Sequence, residues 1–223
     1  MSLFKRKKRP LARDAASLRD DRQFFVACDD TYAPKQYFSF FRLSRVHIEV
    51  VPTVSGTCAA EDVLKRLQEF SQKFDPAEDD ELWMLLDTDH YTKGRHLKSF
   101  IATVKKAKQQ NVNIALSKPC FELWLLLHHE NEAAVGSLSN ARDVAEALRA
   151  KLGQYDKTKL KRENYPLKTV PDAVKRAERL DESVLGGDIP QQNTSRVYLL
   201  WKAVVSKSLP SQLPLELRSL LDD

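Results

Sequence analysis

The chain has 223 residues, 42% of them hydrophobic and 30% charged, and its 36 Lys and Arg exceed its 31 Asp and Glu for a formal charge of +5. This composition excludes a fibrous or generally disordered chain, and the length suits one large domain or a domain with an appended helical part. The mild basic excess permits a polyanionic partner without demanding one, so the distribution of charge carries more meaning than its sum.

In chain order, residues 1–22 hold the unbroken run Lys5-Arg6-Lys7-Lys8-Arg9 followed by Arg13, Arg19 and Arg22. This reads as a flexible basic arm, either gripping phosphates by counterion release or acting as a solubilising tail. Gln23 to Cys28 is apolar and β-prone and stops at Asp29-Asp30-Thr31, the pattern of a first strand. A short helix is expected around Pro34 to Arg42, with Tyr37, Phe38 and Phe41 inward. In Arg45 to Val51, Val46, Ile48 and Val50 alternate with His47 and Glu49, which predicts a half-buried strand near a sheet edge with His47 toward solvent. A helix capped by Thr57 then runs to about Lys73, with Val63, Leu67, Phe70 and Phe74 on one face.

Leu82 to Leu86 forms a buried third strand that delivers Asp87 and Asp89. Leu97, Phe100, Ile101 and Val104 mark a helix with a lysine-rich outer face, and Val112 to Ser117 is a fourth strand. Pro119 opens a helix that is apolar almost all round from Phe121 to Leu127, and so buried. Strand and helix alternate through this stretch, and connections of helical length imply parallel pairing. Beyond about Asn131 no strand is evident. Helices are expected over Ala141 to Leu152, around Val174 to Leu180 and around Val197 to Val205, with a Pro-punctuated tail after Ser208. The expected organisation is an arm over 1–22, an α/β domain over 23–130 and a helical region over 131–223 packed on it.

Cys28, Cys58 and Cys120 form no Cys-x-x-Cys pair and are odd in number, which argues against a disulfide framework and a zinc ribbon and fits a reducing cytoplasm. No apolar stretch is long enough to span a bilayer, and no apolar secretory segment follows the basic start. The expectation is a cytoplasmic protein with no membrane partner.

In an open parallel sheet every strand sends its following loop to one edge, where ligands bind. That rule gathers Asp29, Asp87, Asp89 and, from the first turn of the following helix, Glu122. Four carboxylates at one edge suit a hard divalent ion, Mg²⁺ or Mn²⁺, and metal-assisted phosphoryl transfer. Asp87, Asp89 and Glu122 also have plain alternatives as a turn residue, a helix cap and a favourable first-turn charge. Lys118 stands where a phosphate would be steadied, and His90 or His128 are proton carriers or structural residues. Lys157, Lys159, Lys161, Arg162 and Lys168, interleaved with Tyr155 and Tyr165, compose either a backbone-binding and base-stacking segment or a solvated loop. There is no Walker loop, dinucleotide glycine fingerprint, His-Glu-x-x-His or nucleophile elbow.

Cys28-Asp29-Asp30 with Tyr37-Phe38, then Leu86 through His90, then Leu116 through His128 resemble the RloB family. Weaker matches continue through Tyr155, Lys157 and Asn193-Thr194-Ser195, so the resemblance spans roughly Gln23 to Val205. The RloB-like proteins are associated with bacterial defence against phage, often beside an ATPase partner, and are similar to Toprim domains, small parallel α/β domains whose acids bind Mg²⁺. The resemblance implies a Toprim-like, mainly parallel four-stranded sheet, Asp87 and Asp89 as a metal pair with Asp29, and Asp29 and Glu122 as catalytic acids. It departs at the first strand, where the family's Cys-Glu-Gly and following Thr-Glu pair are replaced by Cys28-Asp29-Asp30-Thr31-Tyr32-Ala33.

The expected function is a metal-dependent nuclease cutting RNA, tRNA among the candidates, or DNA, as an effector of antiphage defence by abortive infection. The alternatives are an inactive Toprim-like scaffold that binds nucleic acid or the ATPase, and a phosphoryl-transfer enzyme acting on nucleotides.

Overall fold

A computed structural model describes residues 21–53, 58–89, 91, 94–185 and 187–221. The basic run Lys5 to Arg9, the expected cap Thr57 and His90 lie outside these residues.

The four expected strands all form. They are β1 (Arg22–Cys28), β2 (Val46–Val50), β3 (Glu81–Asp87) and β4 (Val112–Lys118), and they pair in parallel in the order β2-β1-β3-β4. Helices α1 (Ala33–Ser39), α2 (Ala60–Phe74) and α3 (Gly94–Gln109) make the connections. After β4 come α4 (Glu122–Leu127), α5 (Glu132–Gly136), α6 (Ala141–Leu152), α7 (Val170–Glu182) and α8 (Val197–Lys207).

The continuous apolar runs of β1 and β3 are explained by two buried faces. Because side chains alternate along a strand, Phe24, Val26, Cys28, Trp83 and Leu85 enter one core while Phe25, Ala27, Met84 and Leu86 enter the other. The second core is closed by α2 and α3 through Val63, Leu67, Phe100 and Val104. The first and larger core is closed by α1, α4, α6, α7 and α8, with Tyr37, Trp124 and Trp201 fully buried at its centre. The result is an α/β fold with helices on both faces of the sheet. The alternation in β2 is borne out too. It is an edge strand, and His47 and Glu49 are exposed.

Three expectations need correction. The sheet has five strands, because Thr194–Ser195 (β5) pairs antiparallel with β4 through Ser117 and Lys118. Two residues leave no periodic trace in sequence, so β5 is invisible there. It is held instead by polar contacts around Asp181. That carboxylate accepts hydrogen bonds from Arg196 Nε at 3.0 and 3.1 Å, Thr194 Oγ1 at 3.1 Å and the Tyr198 hydroxyl at 3.1 Å. Phe74 does not point inward. It is 46% exposed and stacks on Phe70 at a centroid distance of 4.1 Å, because the helix ends there with Asp75 in a left-handed conformation (φ 46°). Tyr165, expected to offer a face to a base, is 1% exposed within the larger core.

The helical boundaries beyond residue 131 follow local chemistry. The Asn140 side chain accepts from the Asp143 N–H and starts α6 where its apolar spacing begins, and Gly153 ends it at φ 74°. The tail closes with a short 3₁₀ helix, Leu215–Leu220, whose Leu217 and Leu220 are buried. Among the described residues no helix is long and apolar enough to cross a membrane.

Candidate active site at the reversal of strand order

The chain builds β2 to one side of β1, then crosses back to build β3 on the other. Strand order therefore reverses between β1 and β3, and in open α/β sheets the C-terminal edge at that point is where ligands bind. Asp29 and Asp87 stand there. The Asp29 N–H donates to the Leu85 carbonyl at 3.3 Å, extending the pairing of the two strands by one step. The Asp29 carboxylate then spans the gap, with Oδ2 accepting from the Asp87 N–H at 2.8 Å and Oδ1 from the Asp30 N–H at 2.9 Å.

Several more acids come to this edge. Glu122, in the first turn of α4, is 9% exposed, and its Oε1 accepts from the Tyr155 hydroxyl at 3.0 Å. The Asp89 N–H donates to the Pro119 carbonyl at 3.1 Å, which fastens the loop after β3 to the loop after β4. Asp30 is engaged in starting α1, its Oδ1 accepting from the N–H groups of Tyr32 at 2.6 Å and Ala33 at 3.1 Å.

The electrostatic consequence falls mainly on Asp87. Desolvation comes first, and the charges of Asp29, Glu122, Asp89 and Asp30 follow, so its carboxyl is held well above the usual range. Asp29 is pushed up to about 7 by desolvation, with the Asp30 charge adding to this and the Asp87 and Asp30 amides opposing it. Both residues keep some contact with solvent, as a ligand site requires.

Two cations lie against the cluster. Lys157 Nζ reaches Asp30 Oδ2 at 3.4 Å, and although desolvation works the other way, Asp30 and Glu122 hold its ammonium above the ordinary value. Arg66 on α2 donates from Nη2 to the Cys28 carbonyl, one residue before Asp29. Its guanidinium value is lowered by burial, with the Asp29 charge acting in the opposite sense.

The structure thus brings Asp29, Asp87, Asp89 and Glu122 into one electrostatic cluster. Among the described residues, however, no group of three or more His, Cys, Asp or Glu side chains is arranged to hold a metal ion. Lys118, the last residue of β4, lies at the same end of the sheet as Asp87, whose strand partner is Ser117. Lys159, Lys161 and Arg162 are exposed on the segment between α6 and α7. His128 is buried, with Nε2 3.0 Å from the Tyr37 hydroxyl and Nδ1 2.8 Å from Thr169 Oγ1. Burial lowers it to about 3, so it is a neutral structural residue at physiological pH.

Sequence reasoning missed Arg66, the role of Tyr155 as Glu122's partner, and Gln36. The last pins the lysine-rich segment over α1, donating from Nε2 to the Lys157 carbonyl at 2.8 Å and accepting the Leu160 N–H at 2.9 Å. The one available signal was Tyr155 among lysines, which suggested stacking rather than a hydroxyl donor.

Fold and edge together define a mostly parallel α/β protein with clustered, partly desolvated carboxylates where its strand order reverses. The chain belongs to the RloB-like protein family, whose pattern matches residues 24–204. No curated protein and no solved structure matches it.

Proposed function

We propose that this chain is a divalent-metal-dependent nuclease of Toprim-like architecture, acting on RNA, tRNA among the candidates, or DNA. In this reading it is an effector of bacterial antiphage defence, paired with an ATPase. The carrying observation is Asp87, on which four other carboxylates press at the strand-order reversal. Such a concentration of negative charge is relieved either by uptake of protons or by a hard cation. The donor set fits Mg²⁺ or Mn²⁺ by chemistry, being all oxygen, and side-chain rotation is needed to close it on an ion.

Asp87 and Asp89 would hold the ion with Asp29, and a bound ion would supply charge neutralisation at a scissile phosphodiester. The chain's own groups do the rest. Asp29, ionised beside the bound ion, would take the proton of the attacking water as the new P–O bond forms, while the P–O bond to the leaving sugar oxygen breaks and that oxygen is protonated from solvent. Tyr155 keeps Glu122 oriented at the second side of the cluster, and Lys157 and Lys118 offset phosphate charge. Lys159, Lys161, Arg162 and the run Lys5 to Arg9 would bind the nucleic-acid backbone, a sequence-independent contribution.

Incubating the protein with total tRNA, mRNA and plasmid, each with Mg²⁺, Mn²⁺ or chelator, tests this. Metal-dependent cleavage of at least one polymer is expected. Cleavage that persists unchanged in the Asp87→Ala, Asp89→Ala double variant refutes the site.

A second reading is favoured by Asp29, both of whose oxygens accept backbone amides. A first-strand acid one methylene shorter than the family's Glu, and already occupied, fits a scaffold that binds nucleic acid or the ATPase without chemistry. Calorimetric Mg²⁺ titration distinguishes the two, since the scaffold shows no binding that depends on Asp87.

A further inference from the structure

Beside the acidic edge, beneath the end of α6 and the segment that follows it, lies a cavity of about 330 Å³. It is lined by Gln154, Tyr155, Lys159, Lys161, Asn164 and Tyr165, among others. Tyr155 belongs to both places, because its hydroxyl donates to Glu122 Oε1 at 3.0 Å. Tyr165 meets the cavity from the larger core and is 1% exposed.

The lining has the chemistry of one flat, polar heterocycle attached to phosphate. The volume stands at the small end of ligand pockets, which run from about 300 to 1,000 Å³. Gln154 and Asn164 carry amides that donate and accept, as edge recognition of a base requires. Tyr155 supplies an aromatic surface, and Lys159 and Lys161 bring two positive charges to the lining against the single carboxylate of Asp156.

We propose that this cavity receives one nucleobase of the nucleic-acid ligand, extruded from its strand, so that the nucleotide next to the scissile phosphate is selected by its base. The proposal deepens the nuclease reading and rests on it for the place of the cleaved bond. Binding of the base itself requires neither metal nor catalysis. Tyr155 couples the two places, because a base seated against it bears on the group that orients Glu122.

The test is direct binding in chelator, with ribo- and deoxyribonucleoside 5′-monophosphates and matching trinucleotides as probes, measured by calorimetry. One base is expected to bind at least about tenfold tighter than the others, a difference of about 1.4 kcal/mol. Its trinucleotide should bind tighter than its monophosphate. Lys159→Ala with Lys161→Ala removes two exposed cations of the lining, so it should weaken binding about tenfold while leaving stability unchanged. Gln154→Ala with Asn164→Ala should erase the preference among bases, and Asp87→Asn should leave binding intact. Equal or absent binding of all bases, unchanged affinity in both cavity variants, or a trinucleotide no tighter than the monophosphate would each overturn the proposal. So would loss of binding in Asp87→Asn, which would place the ligand on the acidic edge. Selective binding without any cleavage leaves the cavity assignment standing and rejects the nuclease reading.

Discussion

Replacing Asp29 by Asn, and following stability against pH in chelator, measures the cost of keeping that carboxylate at the reversal of the sheet. Asp29 is raised from its ordinary 3.8 to about 7, so the folded state binds this proton more tightly than the unfolded chain does. Its contribution to stability is therefore full below pH 3.8, falls as the pH rises toward 7, and levels off above. The whole difference is roughly 4 kcal/mol, more than half of it lost between pH 5 and pH 8.

The wild-type profile alone would hide this. His128 is lowered from 6.5 to about 3, so its contribution has the opposite sign and grows as the pH rises from about 3 through 6.5. Between pH 5 and pH 8 that returns about 2 kcal/mol. Asp87, also held well above the usual range, loses stability in the same sense as Asp29, so the titrations overlap and the difference between wild type and variant is needed to separate them. At pH 5, where folded Asp29 is already the neutral acid, Asp29→Asn should lie within about 1 kcal/mol of wild type. By pH 8 the variant should have gained on the order of 3 kcal/mol relative to wild type and so exceed it, because loss of the Asp29 charge also eases the ionisation of Asp87. Urea unfolding at intervals from pH 5 to pH 8 reads this directly. A stability difference that is flat with pH, or that widens against the variant toward pH 8, would refute the account of a crowded, desolvated acidic edge.

Three further perturbations have defined outcomes. Asp181→Ala strands the half-buried Arg196 guanidinium and releases Thr194 and Tyr198, so urea unfolding should show a loss of about 3–5 kcal/mol. His128→Ala opens a cavity and removes the partner of both Tyr37 and Thr169, at a cost of about 2–4 kcal/mol by the same assay. Tyr155→Phe changes stability by about 1 kcal/mol or less, while freeing Glu122 should lower the cleavage rate about tenfold, resolved by single-turnover kinetics.

The strands and the acidic edge were legible in sequence for one reason. A strand buried on both faces must be a continuous apolar run, and the acids that end such runs in a parallel sheet share an edge by topology alone. That argument places Asp29, Asp87 and the first turn of α4 without knowing any side-chain contact. It cannot reach groups that arrive from elsewhere in the chain. Arg66 comes to the Cys28 carbonyl from the middle of an amphipathic helix, and Tyr155 comes to Glu122 from an irregular segment. Neither position has a periodicity that marks it. The two-residue β5 escapes for the same reason, since its pairing depends on Asp181 rather than on any apolar pattern.

The contacts that sequence could not show bear most directly on Asp29. Read as a sequence difference, a shorter acid at the end of the first strand is simply a ligand set farther back. In the folded chain the shorter side chain takes up another task, accepting the amide of Asp87 across the strand-order reversal and that of Asp30 beside it. A glutamate there would carry its carboxylate one methylene further toward the ligand edge and weaken this bridge. Asp29→Glu is therefore the informative exchange. If the bridge exists to position Asp87, the exchange lowers stability by about 1 kcal/mol and lowers cleavage with it. If the shorter reach limits metal capture, stability falls by the same amount while Mg²⁺ affinity and cleavage rise. Calorimetry and single-turnover cleavage on the same preparation decide between the two.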